Sequence, residues 1–105
     1  MSTNKLHHVV LFAFKETCSK ETISEIERAF SALRSKIDEI EDFRWGTDVS
    51  VENKTQGFTH CFLVIFASEK ERDRYLPHPA HQAFVSLVGP HVDKVLVFDF
   101  LARDD

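Results

Sequence analysis

The stretch Tyr75-Leu-Pro-His-Pro-Ala-His-Gln-Ala-Phe84 places one phenol and two imidazoles within seven positions. A tyrosine and a histidine on opposite sides of a pocket form a proton-transfer pair: the imidazole accepts a proton near neutral pH and the phenol donates a hydrogen bond. His81 shares a three- and four-residue stripe with Phe84, Val85 and Val88, which turns it inward. Tyr75 lies six residues upstream, across a corner bent by Pro77 and Pro79. His78 falls at the expected N-cap of the helix that follows. A histidine base needs a partner to fix its tautomer, and Asp99, inside the apolar run Val-Leu-Val-Phe-Asp-Phe-Leu, is the candidate. A carboxylate in a buried strand is costly unless paired. The alternative for Asp99 is an edge position facing water.

Four more histidines complete the set of six. His8 and His60 have the strand parity of Phe12 and Phe62 and are expected to project inward, where each alone also fits an inert, hydrogen-bonded ring. His7 and His91 carry no such pattern and are read as facing solvent. His78 and His81 could supply two metal ligands, with His8 or His60 as a third. No Cys pair or His-Glu-x-x-His accompanies that spacing, so no metal is expected. Three glycines are too few for a phosphate-cradling loop, and no nucleotide cofactor is expected either. No Ser or Cys nucleophile motif is visible.

Composition narrows the partners. A net charge of −4 with 13 scattered Lys and Arg argues against nucleic acid. No apolar run approaches the ~20 residues that span a bilayer. The first residues, Met-Ser-Thr-Asn-Lys-Leu-His-His, lack a signal-peptide core. Cys18 and Cys61 are too few for a disulfide framework and read as reduced thiols of a cytoplasmic protein.

The elements that must position these groups are read from periodicity. Leu6–Lys15 is rich in Val and Phe and predicts a first strand. Ile23, Ile26, Phe30, Leu33, Ile37 and Ile40 then recur at helical spacing, behind Ser19 as N-cap. Asp42–Val51 returns to extended character, with Phe43, Trp45, Val49 and Val51 on one side. A turn through Gly57 leads to Phe58–Ala67, the clearest strand. Ser68 to Glu71 fits a capping box opening a short helix to about Tyr75. Pro79 starts another helix that Gly89-Pro90 ends, and Asp93–Ala102 is the last strand.

The order β-α-β-β-α-β predicts a single α+β domain over residues 1–105, a ferredoxin-like subunit with helices on one face of a four-stranded antiparallel sheet. Such a sheet should alternate apolar and polar. Here Phe58, Phe62, Val64 and Phe66 oppose Cys61, Leu63 and Ile65, and Val10, Phe12 and Phe14 oppose Val9, Leu11 and Ala13. Both faces are apolar while helices can cover only one. A second copy is the economical cover, so the chain is expected to form a homodimer packed sheet to sheet.

The segments His-His-Val-Val-Leu-Phe-Ala-Phe-Lys, Trp-Gly-Thr-Asp through Gly-Phe-Thr-His, Tyr-Leu-Pro-His-Pro-Ala-His and Asp-Lys-Val-Leu-Val-Phe-Asp-Phe occur in an order that resembles the stress-responsive dimeric α/β-barrel (Dabb) family. The resemblance implies two ferredoxin-like subunits packed into a barrel-like dimer. The family includes plant stress-induced proteins and a plant polyketide cyclase that closes a linear tetraketide thioester by aldol condensation. Matched by motif, that enzyme's acid/base pair falls on Tyr75 and His81, its histidine-supporting aspartate on Asp99, and two further pocket histidines on His8 and His60. A pocket tyrosine of its first helix falls on Phe30. The resemblance implies a cofactor-free, His/Tyr-lined pocket for a small apolar or aromatic ligand, with polyketide cyclase-like chemistry. The alternatives are a non-catalytic stress-response dimer and a cofactor-independent monooxygenase or haem-degrading protein.

Overall fold

The computed structural model describes residues 4–103. Its elements are β1 (Leu6–Phe14), α1 (Lys20–Lys36), β2 (Asp42–Thr47), β3 (His60–Phe66), α2 (Glu69–Tyr75), α3 (Pro79–Val88), a 3₁₀ turn at Gly89–His91 and β4 (Val92–Leu101). The sheet order is β2-β3-β1-β4 with every pair antiparallel, the ferredoxin-like arrangement. The expected fold class is the one observed.

Local chemistry explains the boundaries. The Ser19 hydroxyl accepts from the Thr22 amide at 3.1 Å, and Arg34 and Lys36 occupy the last turn of α1, where cations suit the helix dipole. Helix α1 buries Ile26, Phe30 and Leu33, and Ile37 and Ile40 continue the apolar stripe past its end. Ser68 caps α2 by accepting from the Lys70 amide, but its hydroxyl donates to the Glu71 carboxylate, so the box closes through side chains. His78 caps α3 as expected, its Nδ1 accepting from the Ala80 amide at 3.0 Å.

Strand β2 is shorter than its extended character suggested. Its last partner is Thr47 opposite His60, and Asp48 then bends the chain by accepting from the Ser50 amide. Val49 and Val51, expected on the Phe43 and Trp45 side, are 88% and 96% exposed. The following loop has positive φ at Asn53, Gln56 and Gly57. Lys94 pins it, donating to the Gln56 carbonyl and lying 4.6 Å over the Phe58 ring. Phe58 therefore precedes β3 rather than joining it.

The core lies between the sheet and the helices, where Phe62, Val64 and Phe66 of β3 are fully buried against Ile26, Phe30 and Leu33. Each such side chain contributes about 1.5–3 kcal/mol of burial. The other sheet face carries no helix. There the register sets Val9 between Leu63 and Phe98, and Leu11 beside Leu96; Phe98 is 58% exposed. His7, read as facing solvent, is half-buried on this face because its ring stacks on Phe100 at 4.8 Å. His91 is half-buried in the 3₁₀ turn.

Candidate active site

Strand parity brings the first pieces together. His8, Val10 and Phe12 lie on the helix-facing side of β1, and α1 adds Phe30 above them. Helix α2 ends on Tyr75, the chain turns through Pro77, and α3 brings His81 back over the tyrosine. The ring centroids of Tyr75 and His81 are 4.3 Å apart, and those of Tyr75 and His8 are 5.8 Å apart. The three rings and Phe30 line a cavity of about 420 Å³ whose other walls are apolar side chains such as Phe12 and Phe84. Val95 and Val97 of β4 line the same cavity yet are more than half exposed, so it opens along the edge that the helices leave uncovered.

The hydrogen bonds fix the tautomers. Carbonyl and carboxylate oxygens only accept, so a ring nitrogen facing one carries the proton. His81 Nδ1 donates to the Leu76 carbonyl at 2.8 Å, which leaves Nε2 as the basic nitrogen. Burial holds the His81 pKa below its usual 6.5; the Leu76 bond works against this, and neighbouring His8 and His78 add to it. His8 Nδ1 donates to Asp99 Oδ1 at 2.6 Å, again freeing Nε2. Asp99 Oδ2 accepts from Arg72 Nη1 at 3.0 Å.

Asp99 thus serves His8, not His81 as expected. The reason is register: His8 and Asp99 are directly opposed in the β1–β4 ladder, side chains on one face, while His81 already has a backbone partner. Arg72 is a functional neighbour that the sequence did not reveal, since its run of charges reads as a solvated helix face.

Tyr75 is fully buried, and its hydroxyl is the one buried side-chain polar atom without a partner among the described residues. Burial raises its pKa strongly, which keeps it protonated and a donor.

His60 lies elsewhere. Its Nε2 donates to Glu27 Oε2 at 2.7 Å, and its Nδ1 pairs with the Thr59 hydroxyl at 2.8 Å. Trp45 stacks parallel to it, 2° out of plane. His60 does line a cavity of about 550 Å³ beneath the loop after β2, but both ring nitrogens are taken. The smaller cavity is therefore the better candidate for chemistry. His78 spends its Nδ1 on the helix cap, and no group of three or more His, Cys, Asp or Glu side chains able to hold a metal occurs among the described residues.

Comparison with known proteins agrees over almost the whole chain. The sequence model of the Stress responsive A/B Barrel Domain matches residues 6–102. A stress-response A/B barrel domain-containing protein of Arabidopsis thaliana is 41% identical over 93 residues, 89% of this chain and 85% of the relative. Olivetolic acid cyclase of Cannabis sativa is 31% identical over 96 residues, 91% of this chain and 95% of the cyclase. A crystal structure of an Arabidopsis thaliana protein, 38% identical, superposes with a TM-score of 0.90, covering 95% of this chain and 97% of its own. The chain belongs to the stress-responsive A/B barrel (Dabb) domain family.

Proposed function

We propose that this protein binds a polyketide-like or aromatic molecule in the 420 Å³ cavity and performs cofactor-free acid/base chemistry on it, closing a linear poly-β-keto thioester by aldol condensation. The observation that carries this reading is Tyr75, whose buried hydroxyl has no partner and whose residue lines the cavity next to the rings of His8 and His81, each with a free Nε2. An unsatisfied buried hydroxyl costs about 1–3 kcal/mol, and a ligand oxygen would satisfy it. The similarity to a cyclase supports the choice of substrate class.

In this mechanism a cavity imidazole takes the proton from a carbon flanked by two carbonyls. Tyr75 donates a hydrogen bond to the enolate oxygen that forms. The enolate carbon attacks a ketone carbon further along the chain, and the new alkoxide recovers the proton from the imidazolium. Loss of water then leads to the aromatic ring. The motif match assigns the imidazole to His81.

The chain works as a homodimer, its uncovered apolar sheet face packed against that of a second copy. Cys18 and Cys61 are free thiols, and no helix among the described residues is long and apolar enough to cross a membrane; the cytoplasm fits both observations.

The test is incubation of the purified protein with an N-acetylcysteamine thioester of a linear tetraketide. A cyclised dihydroxybenzoyl thioester, or the acid left when water hydrolyses it and releases the thiol, found by mass spectrometry and lost in Tyr75→Phe, is expected. No cyclised product, with no NMR shift at Tyr75 or His81 on adding the thioester, overturns the proposal in favour of a non-catalytic dimer.

A further inference from the structure

We infer that Asp93 is the residue by which this cavity recognises the carrier arm of its thioester, accepting a hydrogen bond from an amide N–H of a pantetheine-type arm. The inference rests on the proposed cyclase reading of the cavity and concerns the part of the substrate that does not react.

An irregularity of the last strand carries Asp93 to the cavity. Ala13 pairs with Lys94 and Phe14 with Val92, which leaves Asp93 as the extra residue of a β-bulge in β4. Side chains alternate along a regular strand, whereas a bulge re-aims one of them. Val92 and Asp93 accordingly both line the cavity, followed by Val95 and Val97. Lys94 turns away, to the Gln56 carbonyl and the Phe58 ring. Asp93 is exposed, and its carboxylate has no hydrogen-bond or ion-pair partner among the described residues. Among the described residues that line the cavity it is the one carboxylate, and none is Lys or Arg.

Position along the cavity decides what Asp93 can meet. His81 and Gly89 both line it, and α3 carries the wall from one to the other over about 12 Å, at ~1.5 Å per residue. On the sheet side Asp93 stands about 20 Å along β4 from Asp99, the partner of His8, at ~3.3 Å per residue. The carboxylate is therefore remote from the proton transfer, past an apolar wall that includes Phe12, Phe84 and Val88. Nothing lies within 4 Å of where a Cβ on Gly89 would stand, so a chain has room to leave there.

A carboxylate only accepts hydrogen bonds. The keto chain and alkyl end of a linear polyketide carry no N–H, but its carrier arm has two amides, one close to the sulfur and one further out. The arm therefore lies toward Asp93, and the distance selects the outer amide. An N–H bonded to a carboxylate belongs to the stronger class of hydrogen bond.

The experiment titrates two probes without keto groups, S-octanoyl-pantetheine and S-octanoyl-N-acetylcysteamine, followed by NMR shifts at Tyr75 and His81. The second probe keeps only the inner amide. The wild type is expected to bind the pantetheine probe about fivefold more tightly, Asp93→Ala to bind both alike, and Asp93→Asn, which keeps an acceptor, to retain part of the difference. No difference in the wild type, or one that survives in Asp93→Ala, overturns the assignment.

Turnover supplies an independent readout. With tetraketide thioesters of the same two arms, Asp93→Ala should raise KM about fivefold for the pantetheine substrate, an effect on KM and not on kcat. A rise in KM or a fall in kcat shared equally by both substrates overturns the role. Where neither thioester turns over, the cyclase reading fails, and the probe titrations still decide recognition by Asp93.

Discussion

His8 and His60 are the same residue on the same face of the same sheet, 5% and 7% exposed, each bonded to a carboxylate within 2.7 Å. They differ in the second nitrogen. In His60 the Thr59 hydroxyl occupies it and Trp45 covers the ring, so the imidazole is a cross-brace between α1 and β3. In His8 it is left without a partner in a residue that lines a cavity, next to a tyrosine whose hydroxyl also lacks one. Burial and a carboxylate do not separate a structural histidine from a chemical one. Unspent hydrogen-bonding capacity does.

Substitutions can break this contrast, and the largest effect on stability is expected at His60. His60→Ala leaves Glu27 facing the protein interior without its partner, and should destabilise the fold by about 2–3 kcal/mol in urea denaturation. A loss well under 1 kcal/mol would mean that the brace is ornamental. Tyr75→Phe is expected to act in the opposite sense. Deleting an unpartnered buried hydroxyl should leave stability unchanged or raise it by about 1 kcal/mol while abolishing turnover, and a clear loss of stability would show that the hydroxyl has a partner in solution.

Glu27→Gln keeps an acceptor for His60 Nε2 and removes only the charge. A cost of about 0.5–1 kcal/mol, with unchanged turnover, would sharpen the structural assignment of that pair.

The smallest effect concerns acid. His81 sits below its ordinary 6.5 chiefly through burial, so the unfolded chain takes up the proton first. Stability from this neutral ring is complete above 6.5 and is lost as pH falls below that toward the native value. Thermal melts at about pH 7.5 and 5.5 should therefore show a shallower decline in His81→Gln than in the wild type; identical declines would sink the argument.

Much of the frame was legible beforehand. Change of period marked α1 between β1 and β2, Ser19 and His78 announced their caps, and the doubly apolar strands announced a sheet face without helices. The site was legible only in part. His8, Phe30, His60, Tyr75, His81 and Asp99 were expected at one pocket; four of them line one cavity, His60 lines the other, and Asp99 stands behind His8 without lining either. The partner of Asp99 was misassigned because pairing depends on ladder register, which spacing along the chain does not carry. The opposition of His8 and Asp99 follows once the two end strands are paired. Glu27 and Arg72 were missed because a helix's charged residues read alike until one of them is seen to bend over the sheet. Val49 and Val51 misled because extended sequence outlasted its pairing strand.

The bare sheet face has a consequence for the protein's abundance. Val9, Leu63 and Phe98 meet across adjoining strands with no helix over them, so in the proposed homodimer this apolar surface is hidden only when two chains meet. Folding and pairing then become one equilibrium, and its midpoint moves with concentration. Dilution becomes a denaturant for such a chain, and a raised concentration becomes a stabiliser in its own right.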